Sequence, residues 1–396
     1  MNIKFLTYDT CFGNGAQTLA QNTLRHVNGH PDKGMIVVAP VEEKSTPDRT
    51  AKAKDRRRAK VRSLFGEGVE VACDDDEIVE ACKDADAVFV LMFIKNVWPT
   101  AKECLGRIKA PKVVFSLGTQ ESRVCGDFYR LGVWDAWWSE RPLIRDYNIK
   151  RGFVTEETPY IVGCNVYDMT CTRSPEEVAR DRNPNSIVTN ARWTTSKGAV
   201  PLLEMFDALV KSKNPPDMAA WGWNPVEGGI SFYSAVKSRP DRWEAWGRVS
   251  HLARGTYSRG DIPRILGGEG KGTAPRLAVD LTNYRGDGSV WGDGGLQYCQ
   301  AEAIDWGAVP VVDRGFHPGD GWDDIILRVP DDCLDEDGLT DGVKLAAWLQ
   351  ESVLSKWSES EHAERIHKGR EYIKENLSLK RFNQSIDEIA DRLRIR

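Results

Sequence analysis

No apolar run in this chain of 396 residues reaches the ~18 that a membrane-crossing helix needs, so no membrane partner is expected. Cysteine occurs nine times without a single CxxC pair; the odd count reads as reduced thiols in a cytoplasm and excludes a disulfide framework. Six histidines are scattered and give no zinc-binding spacing. Positive charge is not in excess. Lys and Arg number 54 against 59 Asp and Glu, a net charge of −5 that disfavours nucleic acid for the chain as a whole. No sequence repeat is visible, and Met1-Asn2-Ile3-Lys4 reads as the lead into a strand, not as a signal peptide. What is present is the composition of a soluble globular protein, 41% hydrophobic and 29% charged, at a length that favours two domains.

The average charge conceals a local excess. Between Lys44 and Arg62 stand nine bases, Lys44, Arg49, Lys52, Lys54, Arg56, Arg57, Arg58, Lys60 and Arg62, opposed only by Asp48 and Asp55, a local charge of +7. Such a run is either a solvated face or a phosphate-binding patch, since a patch works whatever the global sign.

Along the first half, apolar strands alternate with helices. Strands are expected at 2–9, 35–40, 69–73, 86–93 and 112–117, with helices near 16–27, 75–82 and 98–108 between them. Continuous apolar strands separated by helices predict an α/β fold with a parallel sheet covered on both faces. Around 165–185 the text changes. Thr172-Arg173-Ser174-Pro175-Glu176-Glu177 is a capped helix start and Asn183-Pro184-Asn185 a turn, so a domain boundary is expected there. The alternation then restarts, with strands at 186–192, 218–223, 276–282 and 308–312 and helices at 199–211, 241–253, 296–306, 341–354 and 359–376. A final helix, 380–393, carries Phe382, Ile386, Ile389 and Leu393 as an apolar stripe that must cover something.

Two stretches carry chemistry. In Ala191-Arg192-Trp193-Thr194-Thr195-Ser196-Lys197-Gly198, Arg192 and Lys197 stand where a strand gives way to a helix. That edge of an α/β sheet is where ligands bind, and a helix N-terminus adds its own partial positive charge, so the pair suits a diphosphate. In the second stretch, 300–312, Glu302 lies on a helix that ends at Gly307 and feeds a buried strand. A carboxylate there can accept both hydroxyls of a ribose. Upstream, Gly292-Asp293-Gly294-Gly295 opens the same helix, and free N–H groups at Gly294 and Gly295 can cradle phosphate oxygens. Together these describe a pocket for a nucleoside diphosphate, with a sugar nucleotide as ligand.

Other features compete. Phe12-Gly13-Asn14-Gly15 follows the first strand, but Thr18 occupies the third position of a dinucleotide fingerprint; Gly13 and Gly15 can instead face the sugar of a donor. Asp74-Asp75-Asp76-Glu77 reads as a helix start in preference to a metal site, and Asp335-Glu336-Asp337-Gly338 as a solvated turn. Trp134, Trp137 and Trp138 are either core or a platform on which a base or sugar stacks. No Ser-His-Asp or Cys-His triad assembles.

The segments 191–198 and 302–312 resemble the GR-x4-KG and EA-x3-G-x-PVV signatures of retaining glycosyltransferases with the two-Rossmann GT-B fold. The resemblance implies that Arg192 and Lys197 hold the donor diphosphate and Glu302 the ribose. The family's earlier Glu would fall on Gly294 and is missing. Arg192-Trp193-Thr194-Thr195-Ser196-Lys197-Gly198, Met205-Phe206-Asp207 and Gln297-Tyr298-Cys299-Gln300-Ala301-Glu302 are similar to a subgroup that shares this loss, the phage α-glucosyltransferases acting on hydroxymethylated cytosine in DNA. Those enzymes place a His-Asp pair after the strand that corresponds to 112–117. Here the turn reads Gly118-Thr119-Gln120-Glu121-Ser122, which leaves Glu121 as the candidate for polarising the acceptor hydroxyl.

The resemblance therefore implies a cytoplasmic GT-B transferase, encoded by a phage, that uses a UDP-sugar with retention and without a required metal. Residues 1–175 with 377–396 form an acceptor-side Rossmann-like domain, and 186–376 a nucleotide-sugar domain, the last helix crossing back to the first. The acceptor is a hydroxymethylated pyrimidine flipped from duplex DNA, the backbone held by Lys52, Lys54, Arg56, Arg57, Arg58, Lys60 and Arg62. The alternatives are a transferase acting on a small molecule or polysaccharide, and a nucleotide-sugar epimerase or binding module.

Overall fold

The strands of the N-terminal half bury consecutive residues on opposite sides, as a sheet covered on both faces requires. In the computed structural model, β1 (Ile3–Tyr8), β2 (Lys33–Val38), β3 (Glu70–Ala72), β4 (Ala87–Leu91), β5 (Lys112–Ser116), β6 (Ala136–Ser139) and β7 (Tyr160–Val162) form one parallel sheet, ordered β3-β2-β1-β4-β5-β6-β7. The structure describes residues 1–8, 15–41, 46–91, 100–116, 133–139, 142–162, 166–190, 193, 197–222, 235–268, 272–281, 298–314, 316 and 322–394. Phe5, Val37, Phe89 and Phe115 enter the core on one side of the sheet; Leu6, Ile36, Val88 and Val114 enter it on the other. Helices α1 (Gly15–Asn28) and α2 (Pro47–Phe65) close the first side, α3 (Asp75–Ala81) and α4 (Ala101–Arg107) the second, and α5 (Pro142–Lys150) joins β6 to β7.

Trp137 and Trp138 are neighbours on β6 and so point to opposite faces, each wholly buried. Trp138 meets Phe115 edge-on at 4.4 Å between ring centroids, and Trp137 stacks on Tyr160. Trp134 is buried with them. Of the two readings of these tryptophans the structure shows the core one: β6 lies between β5 and β7 with both of its faces covered.

A second parallel sheet, β12-β11-β10-β8-β9, is built from β8 (Arg182–Thr189), β9 (Asp217–Ala220), β10 (Ala274–Asp280), β11 (Val309–Val312) and β12 (Leu327–Arg328). Its helices are α6 (Pro175–Arg180), α7 (Ala199–Val210), α8 (Pro240–Val249), α9 (Ile262–Gly267), α10 (Tyr298–Asp305), α11 (Gly342–Trp348) and α12 (Glu359–Asn376). Helices α7, α8 and α11 cover one face, α9 and α10 the other. Ser174 and Glu177 form the reciprocal cap expected at the start of α6. The expected turn at 183–185 lies instead within β8. Pairing runs from Pro275–Asn183 to Leu277–Ile187, so two surplus residues bulge there, and the Asn185 N–H bonds the Asn183 side chain at 3.0 Å. The turn chemistry is real, but it is spent on a bulge inside a strand.

The chain falls into two packed units, Met1–Val166 with Leu377–Arg396, and Tyr167–Asn376. Helix α13 (Leu379–Arg394) belongs to the first: Phe382, Ile386 and Ile389 enter the same core as β1, β4 and β5. His26 of α1 fastens it, with Nδ1 2.6 Å from Asn383 Oδ1 and Nε2 3.1 Å from Lys33 Nζ, and Lys33 reaches Asp387 at 3.2 Å. Burial, then the Lys33 charge, pushes the His26 pKa down to about 4. In the second unit burial takes His362, whose Nε2 lies 2.8 Å from the Gly307 carbonyl, down to about 3. Both folded values lie below the unfolded 6.5, so the stabilisation is complete above pH 6.5 and is lost as pH falls toward them. Each histidine is expected to cost about 2 kcal/mol of stability between pH 7.5 and 5. Urea midpoints at the two pH values check this, and His26→Gln should flatten the dependence; equal slopes in variant and parent would refute it.

Candidate functional site

The second sheet reverses direction between β8 and β10. From β8 the chain moves outward to β9; from β10 it moves the other way to β11 and β12. In an open α/β sheet the crevice beyond the carboxyl ends of such a strand pair is the place for a ligand. Residues from four elements meet there.

From β8, Asn190 is buried and donates from Nδ2 to the Cys299 carbonyl at 3.1 Å. Trp193 is also buried. It stacks on Phe206 at 6.1 Å and meets Trp246 edge-on, and so is anchored in the α7–α8 core. Lys197 and Gly198 follow. Gly198 has φ +63°, and a Cβ on it would lie 2.6 Å from Cβ of Leu281, the residue after β10. Only glycine satisfies both demands, and its absence of a side chain brings Lys197 onto the end of β10.

From β10, the buried Asp280 Oδ2 accepts from Gln300 Nε2 at 2.7 Å and from Cys299 Sγ at 3.0 Å, which ties the first turn of α10 to the strand end. Tyr257 closes the group by donating its hydroxyl to the Asn190 carbonyl. Glu302, one turn further along α10, is buried. The groups share one field. Burial and then the charge of Asp280 hold the Cys299 thiol well above its usual range, Lys197 acting against and Glu302 with them. Burial, followed by Glu302, Cys299 and Asp280, likewise raises the Tyr257 hydroxyl.

Helix α10 offers a second carboxylate, Asp305, and the structure separates the two. Asp305 accepts from Thr170 N at 2.8 Å, Thr170 Oγ1 at 3.2 Å, Tyr167 Oη at 3.1 Å and Cys171 N at 3.3 Å. It organises the opening residues of the second unit. The helix then ends through Gly307, φ +86°, with Ala308 N bonded to Ala303 O at 2.7 Å and Gly307 N to Ile304 O at 3.1 Å. Glu302, on the same helix, acts on the Cys299 thiol and the Tyr257 hydroxyl.

Lys197 and Glu302 both act, with opposite sign, on the Cys299 thiol. Arg192, Glu121, Gly13, Gly294 and Gly295 lie outside the described residues, and Gly15 opens α1 at the carboxyl side of the first sheet. Of the segment Met205-Phe206-Asp207, Met205 and Phe206 are core, and Asp207 braces α7 to α8 through Arg248 at 2.6 Å and pairs with Lys211 at the end of its own helix at 2.5 Å. Sequence reasoning passed over Asn190, Tyr257 and Asp280. Nothing in the text of β10 sets Asp280, the acid that closes it, apart before its partners on α10 are known.

The basic run forms α2, and the structure divides it. Lys54 pairs with Asp74 and with Glu77 at 2.9 Å, and Arg58 pairs with Glu77 at 2.8 Å. Asp74 itself caps α3, its side chain accepting the Glu77 N–H at 2.9 Å. Lys52, Arg56, Lys60 and Arg62 are exposed, Arg57 half-buried. Lys44 lies outside the described residues.

No protein-family model and no curated protein matches the sequence. Solved structures do match across nearly the whole length. Anabaena Alr3699/HepE in complex with UDP aligns at TM-score 0.65 and 12% identity over 99% of this chain and 100% of that one. A UDP-forming trehalose-phosphate synthase from Burkholderia xenovorans aligns at 0.58 and 13% identity over 99% of each chain. The lipopolysaccharide outer core galactosyltransferase WaaB aligns at 0.57 and 13%, over 98% of this chain and 99% of that one. The chain has the two-Rossmann GT-B fold of these proteins.

Proposed function

We propose that the protein is a glycosyltransferase that takes a sugar from a UDP-sugar. What supports this reading is a fold shared end to end with a protein solved with UDP and with UDP-glucose, together with the charges of Lys197 and Glu302 acting on Cys299 beside the β8/β10 switch point of the second sheet. Lys197, with Arg192, neutralises the diphosphate as it leaves, which is where negative charge develops in glycosyl transfer. Glu302 accepts the ribose hydroxyls. Asp280, through Gln300 and Cys299, holds the first turn of α10 and so aims Glu302. Fixed cations and N–H groups supply the charge stabilisation for which other transferases use a divalent ion. An acceptor O–H attacks the anomeric carbon, the bond from that carbon to the diphosphate oxygen breaks, and the hydroxyl proton passes to Glu121 or to the departing phosphate.

The acceptor in this reading is a hydroxymethylated pyrimidine of duplex DNA, supported by the likeness of 192–198 and 297–302 to the phage enzymes and by the local charge of α2. The names of the structural neighbours favour a saccharide acceptor as the second reading. Mass spectrometry of nucleosides, after incubation of hydroxymethylated DNA with the protein and a panel of UDP-sugars, is expected to show a nucleoside heavier by one sugar. UDP released with no change in any nucleoside would remove the DNA acceptor and keep the donor.

A further inference from the structure

We propose that one exposed face of α2 is a docking rail for the phosphates of duplex DNA, and that Lys54 and Arg58 are excluded from it. The proposal rests on the reading that the acceptor is a base in DNA and assigns the surface that would carry the duplex.

In sequence the bases of 47–65 form an undivided block. On the helix they fall on opposite sides. Val61 and Phe65 anchor α2 in the core of the first unit. At 100° per residue Lys54 and Arg58 lie on that same side, where they are neutralised by Asp74 and Glu77 of the α3 start. Directly opposite, Lys52, Arg56 and Lys60 recur every four residues, all exposed, and Arg49, three residues before Lys52, is exposed on the same row. Asp48 and Asp55 sit to one flank of it, and Asp55 is turned to Arg58 at 3.4 Å.

With a rise of ~1.5 Å per residue the row from Arg49 to Lys60 is about 16 Å long. One strand of B-DNA presents a phosphate charge every ~3.4 Å of axis, so the row spans about four to five phosphates. Regularly spaced cations on a rigid helix fit a regularly spaced polyanion. A membrane surface is disfavoured by what accompanies them. Helices that lie in a bilayer interface carry bulky apolar residues beside the basic ones. Here the row is flanked by Ala51 and Ala59, the large apolar residues of α2 are buried, and Leu64 at the far end is the exposed exception among the described residues.

The test uses the full chain, a short fluorescent duplex and salt between about 50 and 200 mM. The parent is expected to bind with a slope of log K against log salt of about −3 to −4, at ~0.9 per phosphate neutralised. The triple variant Lys52→Ala, Arg56→Ala, Lys60→Ala should flatten that slope by about 3 and weaken binding at least tenfold at low salt; alanine keeps the helix, which a thermal melt verifies. The double variant Lys54→Ala, Arg58→Ala should keep the parental slope. Equal binding by triple variant and parent overturns the rail, and does so even if nucleoside analysis shows sugar on DNA. A double variant that loses as much slope as the triple overturns the division of the helix. Salt-dependent binding to vesicles of mixed phosphatidylcholine and phosphatidylserine, with none to duplex, makes the surface a membrane contact and overturns it as well. Loss of duplex binding in the triple variant alone supports the rail whether or not the sugar is found on the base.

Discussion

Lys197→Ala is expected to slow sugar transfer by roughly thirty- to a thousand-fold, about 2–4 kcal/mol of transition-state stabilisation. The size follows from place as well as charge. Lys197 is half-buried and fixed at the start of α7, because Gly198 lets the chain rest on Leu281. A cation already held where leaving-group charge appears needs no reorganisation during the reaction, and such preorganised groups are worth more than mobile ones in water. The loss should fall on turnover more than on donor affinity, since the interaction strengthens as the diphosphate departs. Initial rates of UDP release against donor concentration test it. Parental turnover in the variant would remove Lys197 from the mechanism.

Asp305→Ala is expected to destabilise the second unit by about 2–3 kcal/mol. The wholly buried carboxylate gathers the Tyr167 hydroxyl, the Thr170 N–H and hydroxyl and the Cys171 N–H. Alanine would leave these donors without their charged acceptor, the Tyr167 hydroxyl in a buried place and those of Thr170 and Cys171 nearer the surface. The parent's bonds are charge-assisted, and each unsatisfied buried donor carries a desolvation cost of about 1–3 kcal/mol. The urea midpoint measures it. A variant within about 1 kcal/mol of the parent would show that water enters to satisfy those groups.

Much of the architecture was legible because its cause is local. Apolar runs such as Ala87–Leu91 and the helical stripe of Phe382, Ile386 and Ile389 announce buried strands and an amphipathic helix by spacing alone. Short pieces were not legible. β6 and β7 are only a few residues long, and their tryptophans and tyrosine suit a binding surface as well as a core. Periodicity says that a side chain has an inside; it cannot say whether the other side of the sheet is covered too.

The site divides in the same way. Lys197, Gly198 and Glu302 stand out in the sequence because residue type and position beside a strand end suggest the chemistry. Asp280 and Tyr257 do not, since their meaning lies in partners twenty or more residues away, Gln300, Cys299 and Asn190. The sequence by itself determined that two parallel α/β units would form, and that a cation and a carboxylate would stand at strand ends of the second. Only the tertiary structure decided that Asp305 is taken up by the fold and which bases of α2 meet the acids of α3, because charge is a property of a residue and its pairing a property of its neighbours.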